Sequence, residues 1–163
     1  MAVKKELKLA IIVMIVAIAI ILLYMLSINK KIITSDEFIE LSSKLGYNTS
    51  RSNETTSATV IEFWTAQKND YEINFHVTIP NIDKKTKKII ADNYFNQLKG
   101  EYEKFKDSSS KEEYHSYGNF SKYTLSTDEF YIKITKIDNT IMFTKVPVQY
   151  KDDIINLFNQ LGY

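Results

Sequence analysis

The feature that most constrains the fold of this chain is an uninterrupted apolar run near its start. Residues 9–26, LAIIVMIVAIAIILLYML, contain no charged residue, no glycine and no proline. With Ser27 and Ile28 the run reaches 20 residues, which as a helix is about 30 Å long and matches the hydrocarbon core of a bilayer. A buried helix of a soluble domain would be unusual at this length and uniformity. We therefore predict that residues 1–31 form a transmembrane anchor with flanking lysines.

Two kinds of cleaved leader fit this segment less well. A secretory signal peptide has an apolar core of about 7–15 residues followed by a small-x-small cleavage site. The run here is longer, and the SINKKIITS that follows it offers no such site. A lipoprotein signal requires a cysteine, and the chain has none. The segment is therefore expected to remain attached, as a signal anchor that crosses the membrane once.

The charges around the run predict its orientation. Three lysines precede the run, Lys4, Lys5 and Lys8, and two follow it, Lys30 and Lys31. Together with the α-amino group they give a slight excess of positive charge on the N-terminal side, which favours a cytoplasmic N-terminus. Residues 32–163 are accordingly predicted to form one extracytoplasmic domain at the cell membrane.

The composition of that domain excludes several classes of function. Five of the chain's 21 basic residues and one of its 20 acidic residues precede residue 32, so the domain carries 16 basic and 19 acidic side chains. A nucleic-acid-binding domain needs a basic face, usually with arginines, and Arg51 is the only arginine of the chain. Because there is no cysteine, disulfides, thiolate metal sites and cysteine nucleophiles are excluded.

Hydrophobic periodicity predicts an α+β fold for the domain. The strand signals come as hairpins rather than singly between helices, which favours an antiparallel sheet. The predicted architecture has two layers, with helices on one face of a sheet of about five strands, in the order α-ββ-α-βββ-α. Residues 48–57 and 106–113 are polar and are expected to be loops. The predicted helices are 35–45, 82–106 and 150–163, and the predicted strands are 58–65, 71–79, 121–126, 130–136 and 140–146.

Two segments predict which side chains are buried. From Tyr71 to Ile79 apolar and polar residues alternate, so His76 is expected on the solvated face of a half-buried strand. In the long central helix Asn81 is the expected cap, and Gly100 favours a kink or an early end. The apolar stripe expected on this helix consists of Ile90, Tyr94, Leu98, Tyr102 and Phe105.

The same three residues, LGY, close the first and the last predicted helices, at 45–47 and 161–163. Glycine just past a helix adopts the left-handed conformation without steric cost, and the next residue packs back on the last turn. In both copies the glycine is therefore predicted to end the helix. The tyrosine is expected to fold toward Leu41 in the first copy and toward Leu157 or Phe158 in the second. A recognition motif is the alternative interpretation.

Three stretches of the domain carry a resemblance to a known group of proteins. They are TSDEFIELSSKLGY after the predicted anchor, SKYTLSTDEFYIKITKIDNTIMF in the middle and YKDDIINLFNQLGY at the end. On these stretches residues 34–163 resemble uncharacterised small membrane- or lipid-anchored extracytoplasmic proteins of low-GC Gram-positive bacteria. The resemblance implies no activity, and without a lipobox cysteine it implies the transmembrane-anchored kind.

No catalytic, cofactor-binding or metal-binding residue is assigned from the sequence. His76 and His115 are the only histidines, and neither has a second ligand at a suitable spacing. P-loop, dinucleotide, nucleophile-elbow and metalloprotease signatures are absent. Paired acids such as Glu112 and Glu113 are typical of helix starts and exposed turns. Whether the chain is an enzyme stays open, with no motif in its favour and no cofactor expected.

Aromatic residues are the one compositional excess, with 11 Tyr, 9 Phe and one Trp. Several of them crowd around Gly118, where their rings could offer a large contact area to a peptide or a sugar. The alternative is that they pack this region against the sheet. The residues of this candidate binding surface are Tyr114, His115, Tyr117, Phe120 and Tyr123.

Together these features predict a single-pass, membrane-anchored extracytoplasmic binding or interaction module. Its expected partner is an envelope protein or a wall polymer, and nucleic acid is not expected. One alternative is a cell-envelope enzyme whose site is assembled only in three dimensions, which a pocket joining a histidine to two carboxylates would favour. The other alternative is an accessory subunit of a larger membrane complex. The sequence leaves the oligomeric state open.

Overall fold

The structure is a computed structural model, and the described residues are 11–21, 29–52, 61–78 and 83–163. The chain divides into two compact units, Met1–Lys30 and Lys31–Tyr163.

In the first unit residues 11–21 are helical, and every one of them is exposed. Among the described residues, no helix combines the length and the apolar character needed to cross a membrane. The remaining parts of the predicted span, residues 9, 10 and 22–28, lie outside the described residues.

The second unit is an α+β domain built on one antiparallel sheet, which confirms the predicted class. The strands are β1 (Asn48–Arg51), β2 (Ile61–Lys68), β3 (Tyr71–Thr78), β4 (Lys111–Tyr117), β5 (Phe120–Ser126), β6 (Phe130–Ile137) and β7 (Thr140–Pro147). Across the sheet they follow the order β1-β2-β3-β7-β6-β5-β4, so β1 and β4 are its two edges.

Among the described residues the sheet has seven strands, so the prediction of about five was two short. Both missed strands lie at edges, and both begin in segments that were expected to be loops. β1 has only four residues, and every residue of β4 is exposed. Neither strand therefore shows the apolar alternation that identifies a half-buried strand in a sequence. Residues 53–60, which include the rest of the first predicted loop and the start of a predicted strand, lie outside the described residues.

Helices cover both faces of the sheet, so the domain has three layers and the two-layer prediction is wrong. The helices are α1 (Ser35–Lys44), α2 (Lys84–Glu103) and α3 (Lys151–Gln160), the last preceded by a 3₁₀ turn, Val148–Tyr150. Phe38 of α1 and Phe158 of α3 share one cluster with Ile73 of β3. On the opposite face Phe95 of α2 shares a second cluster with Ile134 of β6.

Two lysines explain why the second covered face was missed. Lys133 and Lys136 give β6 the appearance of a strand with polar positions, yet both are buried. The ammonium of Lys133 lies 4.3 Å from the centre of the Phe158 ring. On the other face, Lys136 forms an ion pair with Asp92 of α2. Each charge is accommodated beneath a helix, so both faces of β6 belong to the interior.

Helix α2 differs from its prediction in its cap, its end and its buried face. Asp83 is the cap, because its Oδ1 accepts hydrogen bonds from the backbone N–H groups of Lys85 and Thr86, each at 3.0 Å. The predicted cap, Asn81, lies outside the described residues. The helix continues past Gly100 and ends at Glu103, three residues before the predicted end. Its buried residues are Ala91, Phe95 and Leu98, so only Leu98 of the predicted stripe is fully buried.

The two LGY segments end their helices as predicted. Gly46 and Gly162 have φ of +80° and +81°, in the left-handed region. In the first copy the N–H of Tyr47 donates to Ser42 O at 3.0 Å, and in the second the N–H of Tyr163 donates to Phe158 O at 2.7 Å. With the bonds from the glycine N–H groups to Ser43 O and Asn159 O, both copies form the paired-bond helix ending called a Schellman motif.

The tyrosine side chains of these motifs are buried in one cluster with Leu157 and Phe158, and both reach strand residues. The hydroxyls of Tyr47 and Tyr71 are hydrogen-bonded at 3.1 Å. The ring of Tyr163 meets that of Phe75 edge-on, with 6.1 Å between the centres, and its hydroxyl bonds to Thr140. The LGY motif therefore ends each helix and also fastens it to the sheet.

Candidate functional site

The predicted aromatic surface lies on the last two strands at one edge of the sheet. β4 is the edge strand and pairs with β5, which places Tyr114 opposite Tyr123, and Tyr117 opposite Phe120. His115 lies opposite Lys122. The five predicted residues are therefore close along the chain and in the sheet. All five lie in strands, although only Tyr123 fell within a predicted strand, residues 121–126.

The alternation of the two strands divides these residues between the two faces of the sheet. Tyr114 and Tyr123 are on the face that α2 covers, and His115, Tyr117 and Phe120 are on the other. Tyr123 and Phe120 are buried, so they belong to the core. Tyr114 is 51% exposed and Tyr117 is 45% exposed. The accessible rings thus lie on opposite sides of β4. We call this strand with its two exposed tyrosines the aromatic edge.

On the α2 side the aromatic edge is supported by a lysine. Lys99 of α2 places its Nζ 5.1 Å from the centre of the Tyr114 ring and 5.6 Å from that of Tyr123, within the range of cation–π attraction. The same ammonium pairs with Glu103 at 3.0 Å. Burial raises the pKa of the Tyr123 phenol to about 12, so this group stays neutral at ordinary pH. The arrangement holds the Tyr114 ring in place and offers a contact surface rather than a proton-transfer group.

His76 is not on a solvated face, as the strand pattern predicted, but is 5% exposed beneath α2. Its ring stacks on Tyr94 with 5.0 Å between the centres and lies 3.9 Å from the centre of Phe63 and 5.0 Å from that of Phe143. Within the described part of the chain, neither ring nitrogen has a hydrogen-bond partner. Burial lowers the pKa of His76 to about 3, so the imidazole is neutral near pH 7. The residue packs as an aromatic side chain.

The paired acids do not converge on a site. Glu112 and Glu113 are adjacent in β4 and point to opposite faces, where Glu112 pairs with Lys106, and Glu113 pairs with Lys122 at 3.3 Å. Glu37 belongs to the cap of α1, where its Oε2 accepts the Thr34 N–H at 2.8 Å. Among the described residues, no group of three or more His, Cys, Asp or Glu side chains could hold a metal ion.

A second surface feature lies at the start of α2. The first turns of this helix carry the lysines of DKKTKK, residues 83–88, and three of these lysines line a cleft of about 310 Å³. The helical spacing of three and four residues places Lys84, Lys87 and Lys88 on one side of α2. The rest of the lining comes from distant parts of the chain, Ile32 before α1 and Asp138 and Asn139 in the β6–β7 turn. We call this the lysine cleft.

Comparison with known proteins adds no further assignment. No protein family, curated protein or solved structure matches this chain.

Proposed function

We propose that this protein is a single-pass, membrane-anchored extracytoplasmic interaction module. The observation that carries the proposal is the helix at residues 11–21, IIVMIVAIAII, in which all eleven side chains are apolar and exposed. Exposed apolar surface of this extent is typical of a membrane or protein interaction site. In the sequence this helix lies inside the longer run of residues 9–26, which has the length of a membrane span.

The aromatic edge supports the interaction part of the proposal. Every residue of β4 is exposed, and Tyr114 and Tyr117 present rings on either side of it. The strand also carries Lys111, Glu112 and Glu113, and charges on an edge strand oppose indiscriminate pairing with other chains. We therefore assign recognition to the tyrosine rings, which give a large contact area at low entropic cost. The partner is an envelope protein or a wall polymer.

An extraction experiment tests the anchor. Membranes from cells that produce the full chain are washed with alkaline carbonate, and the protein should stay in the membrane pellet. Deletion of residues 9–26 should release it. Protease added to wall-stripped cells should digest residues 32–163 while a cytoplasmic marker survives. Release of the intact chain by carbonate would show that the anchor is wrong, and survival of the domain alongside the marker would reverse the orientation.

A crosslinking comparison tests the aromatic edge and separates the alternatives. A photo-reactive amino acid replaces Tyr117, and in a matched chain it replaces Gln67, which is exposed on β2 near the other edge of the sheet. A specific adduct at position 117 and none at 67 is expected. One stoichiometric adduct with a membrane complex at either position would favour the accessory-subunit alternative. Adducts of equal yield at both positions would contradict recognition by the aromatic edge.

A further inference from the structure

The lysine cleft concentrates positive charge on a domain whose net charge is negative. Three lysine side chains line it against the single carboxylate of Asp138. That carboxylate is engaged by the side-chain amide of Asn119 at 3.3 Å. The backbone of Asp138 is in the left-handed region, with φ of +48°, which shapes the tight β6–β7 turn at the rim of the cleft. The lining therefore carries an excess of two positive charges, which suits an anion.

The lining also contains an apolar part. Ile32 is half-buried at the rim, in the segment that leads into α1. The carbon stems of the lysines add apolar surface, because long charged side chains keep only their heads in water. A volume of about 310 Å³ is at the lower end of the range for small-ligand sites. The cleft therefore suits a small amphipathic anion. Its negatively charged group would bind the lysine ammonium groups, and its short carbon skeleton would contact Ile32.

The position of Ile32 in the chain indicates where such an anion would come from. Ile32 is six residues after Leu26, the last residue of the apolar run. An extended chain reaches at most about 3.6 Å per residue, so six residues span no more than about 22 Å. In a chain anchored as proposed above, one wall of the cleft is therefore tied close to the membrane surface. Lysines held close to a membrane are attracted to anionic lipid headgroups.

We infer that the lysine cleft binds the phosphate headgroup of an anionic glycerophospholipid in the membrane that anchors the chain. This inference rests on the proposed anchor. Lys84 and Lys88 are exposed and bind the phosphate oxygens, and Ile32 contacts the glycerol carbons. The bound headgroup holds the domain against the membrane by the β6–β7 turn and the start of α2. Lipid headgroups and soluble metabolites can both present a phosphate ester to the cleft. The source that we infer is the lipid.

Two variants with the same change in charge test the site. Lys84→Gln/Lys88→Gln removes two exposed lysines from the cleft. Lys104→Gln/Lys111→Gln removes two exposed lysines beyond the far end of α2, a helix of 20 residues and hence about 30 Å long. The full chain and both variants are purified in a neutral detergent with equal amounts of phosphatidylglycerol and phosphatidylcholine that have identical acyl chains. Native mass spectrometry then measures which lipid stays bound. Unchanged melting temperatures confirm that the variants are folded.

The wild-type chain and the Lys104/Lys111 variant should retain one phosphatidylglycerol in preference to phosphatidylcholine. The Lys84/Lys88 variant should lose at least about tenfold of that preference, since each lysine near a lipid surface contributes appreciably to anion binding. An equal loss of preference in both variants would show that net charge alone determines lipid binding, and would overturn the site. An unchanged preference in both variants would also overturn it. Displacement of the lipid by equimolar glycerol 3-phosphate would assign the cleft to a soluble phosphate ester and overturn the lipid source.

The carbonate extraction described above separates this inference from the anchor on which it rests. A chain that stays in the membrane pellet but shows no lipid preference overturns the lysine cleft and leaves the anchor intact. A chain that carbonate releases overturns the anchor, and with it the membrane as the source of the ligand, whichever lipid it retains in detergent.

Discussion

Replacement of Gly162 by valine should destabilise the domain through the conformation of its backbone. Gly162 has φ of +81°, and among the described residues a Cβ added there would meet no atom beyond its chain neighbours within 4 Å. The Cβ itself therefore has room. The remaining cost is that of a β-branched residue in the left-handed region, where its Cβ crowds the following carbonyl oxygen. Gly46, with φ of +80° and the same open surroundings, provides an independent second site for the same experiment.

The expected cost is about 1–2 kcal/mol at each site, the usual penalty for an L-residue with a side chain in this conformation. The unit from Lys31 to Tyr163 has about 130 residues, for which the unfolding entropy is roughly 0.27 kcal/mol/K. Gly162→Val should therefore lower the melting temperature by about 4–7 °C. Asparagine tolerates the left-handed region, so Gly162→Asn, which also adds a polar side chain, should recover most of this loss.

Thermal unfolding of residues 31–163 measures the effect, with fluorescence of Trp64 as the probe. Trp64 is the only tryptophan of the chain and packs against the cluster that contains Tyr163. Deletion of Gly162 and Tyr163 should cost more than Gly162→Val, because it also removes a buried ring, worth about 3–5 kcal/mol for a large aromatic side chain. The valine and asparagine variants must be compared at both glycines to separate backbone conformation from local packing.

Equal melting temperatures for the valine and asparagine variants would refute the argument from the left-handed backbone. A second result would refute the interpretation of LGY as a structural motif. If Gly162→Val left the melting temperature unchanged and abolished association with a membrane partner, LGY would be a recognition motif. We expect stability to fall and any loss of binding to follow it in proportion.

Two further predictions concern buried polar groups. Burial lowers the pKa of His76 from 6.5 to about 3. As the pH falls, the unfolded chain therefore binds a proton at this histidine before the folded chain does. The stability of the domain is lost progressively between pH 6.5 and 3 for this reason. His76→Leu should reduce the pH slope of the free energy of urea unfolding in that window by about 1.4 kcal/mol per pH unit, with His115→Leu as the matched variant on the exposed edge. The Lys136 side chain is 5% exposed, and Asp92→Ala leaves its ammonium without this partner. Asp92→Ala should therefore cost about 1–3 kcal/mol, more than Lys136→Met, as measured by urea unfolding of both single variants and the double variant.

The parts of the fold that local chemistry determines were predictable from the sequence. Thr34 caps α1 through a reciprocal pair of bonds with Glu37, three residues along the chain. The alternation that begins at Tyr71 correctly predicted an antiparallel strand, and the two glycines of LGY correctly predicted helix ends. In each case the decisive interaction lies within a few residues of the chain. The pattern therefore carries the information without any knowledge of the tertiary fold.

The number of layers was not predictable in the same way, because it depends on which polar and charged side chains of the sheet are buried beneath helices. An alternating strand indicates one solvated face only if its polar residues meet water. The polar face of β3 includes His76, which is buried among aromatic rings contributed by α2 and by the neighbouring strands β2 and β7. On β6 the burial of Lys136 depends on Asp92, 44 residues away. Long-range partners of this kind cannot be read from local periodicity.

The candidate sites show the same division between local and distant information. Adjacent residues of a strand point to opposite faces of the sheet. Because Tyr114 and His115 are adjacent in β4, their side chains lie on opposite faces. The partner of Tyr114 on its own face is Tyr123, nine positions along the chain, and the β4–β5 register sets this pair. In the lysine cleft the helical spacing of the three lysines is visible in the sequence, whereas Ile32 and the β6–β7 turn join them only through the tertiary fold. Residues that form a common surface can therefore be predicted within one helix or strand, but a cleft between elements requires the register and packing that bring those elements together.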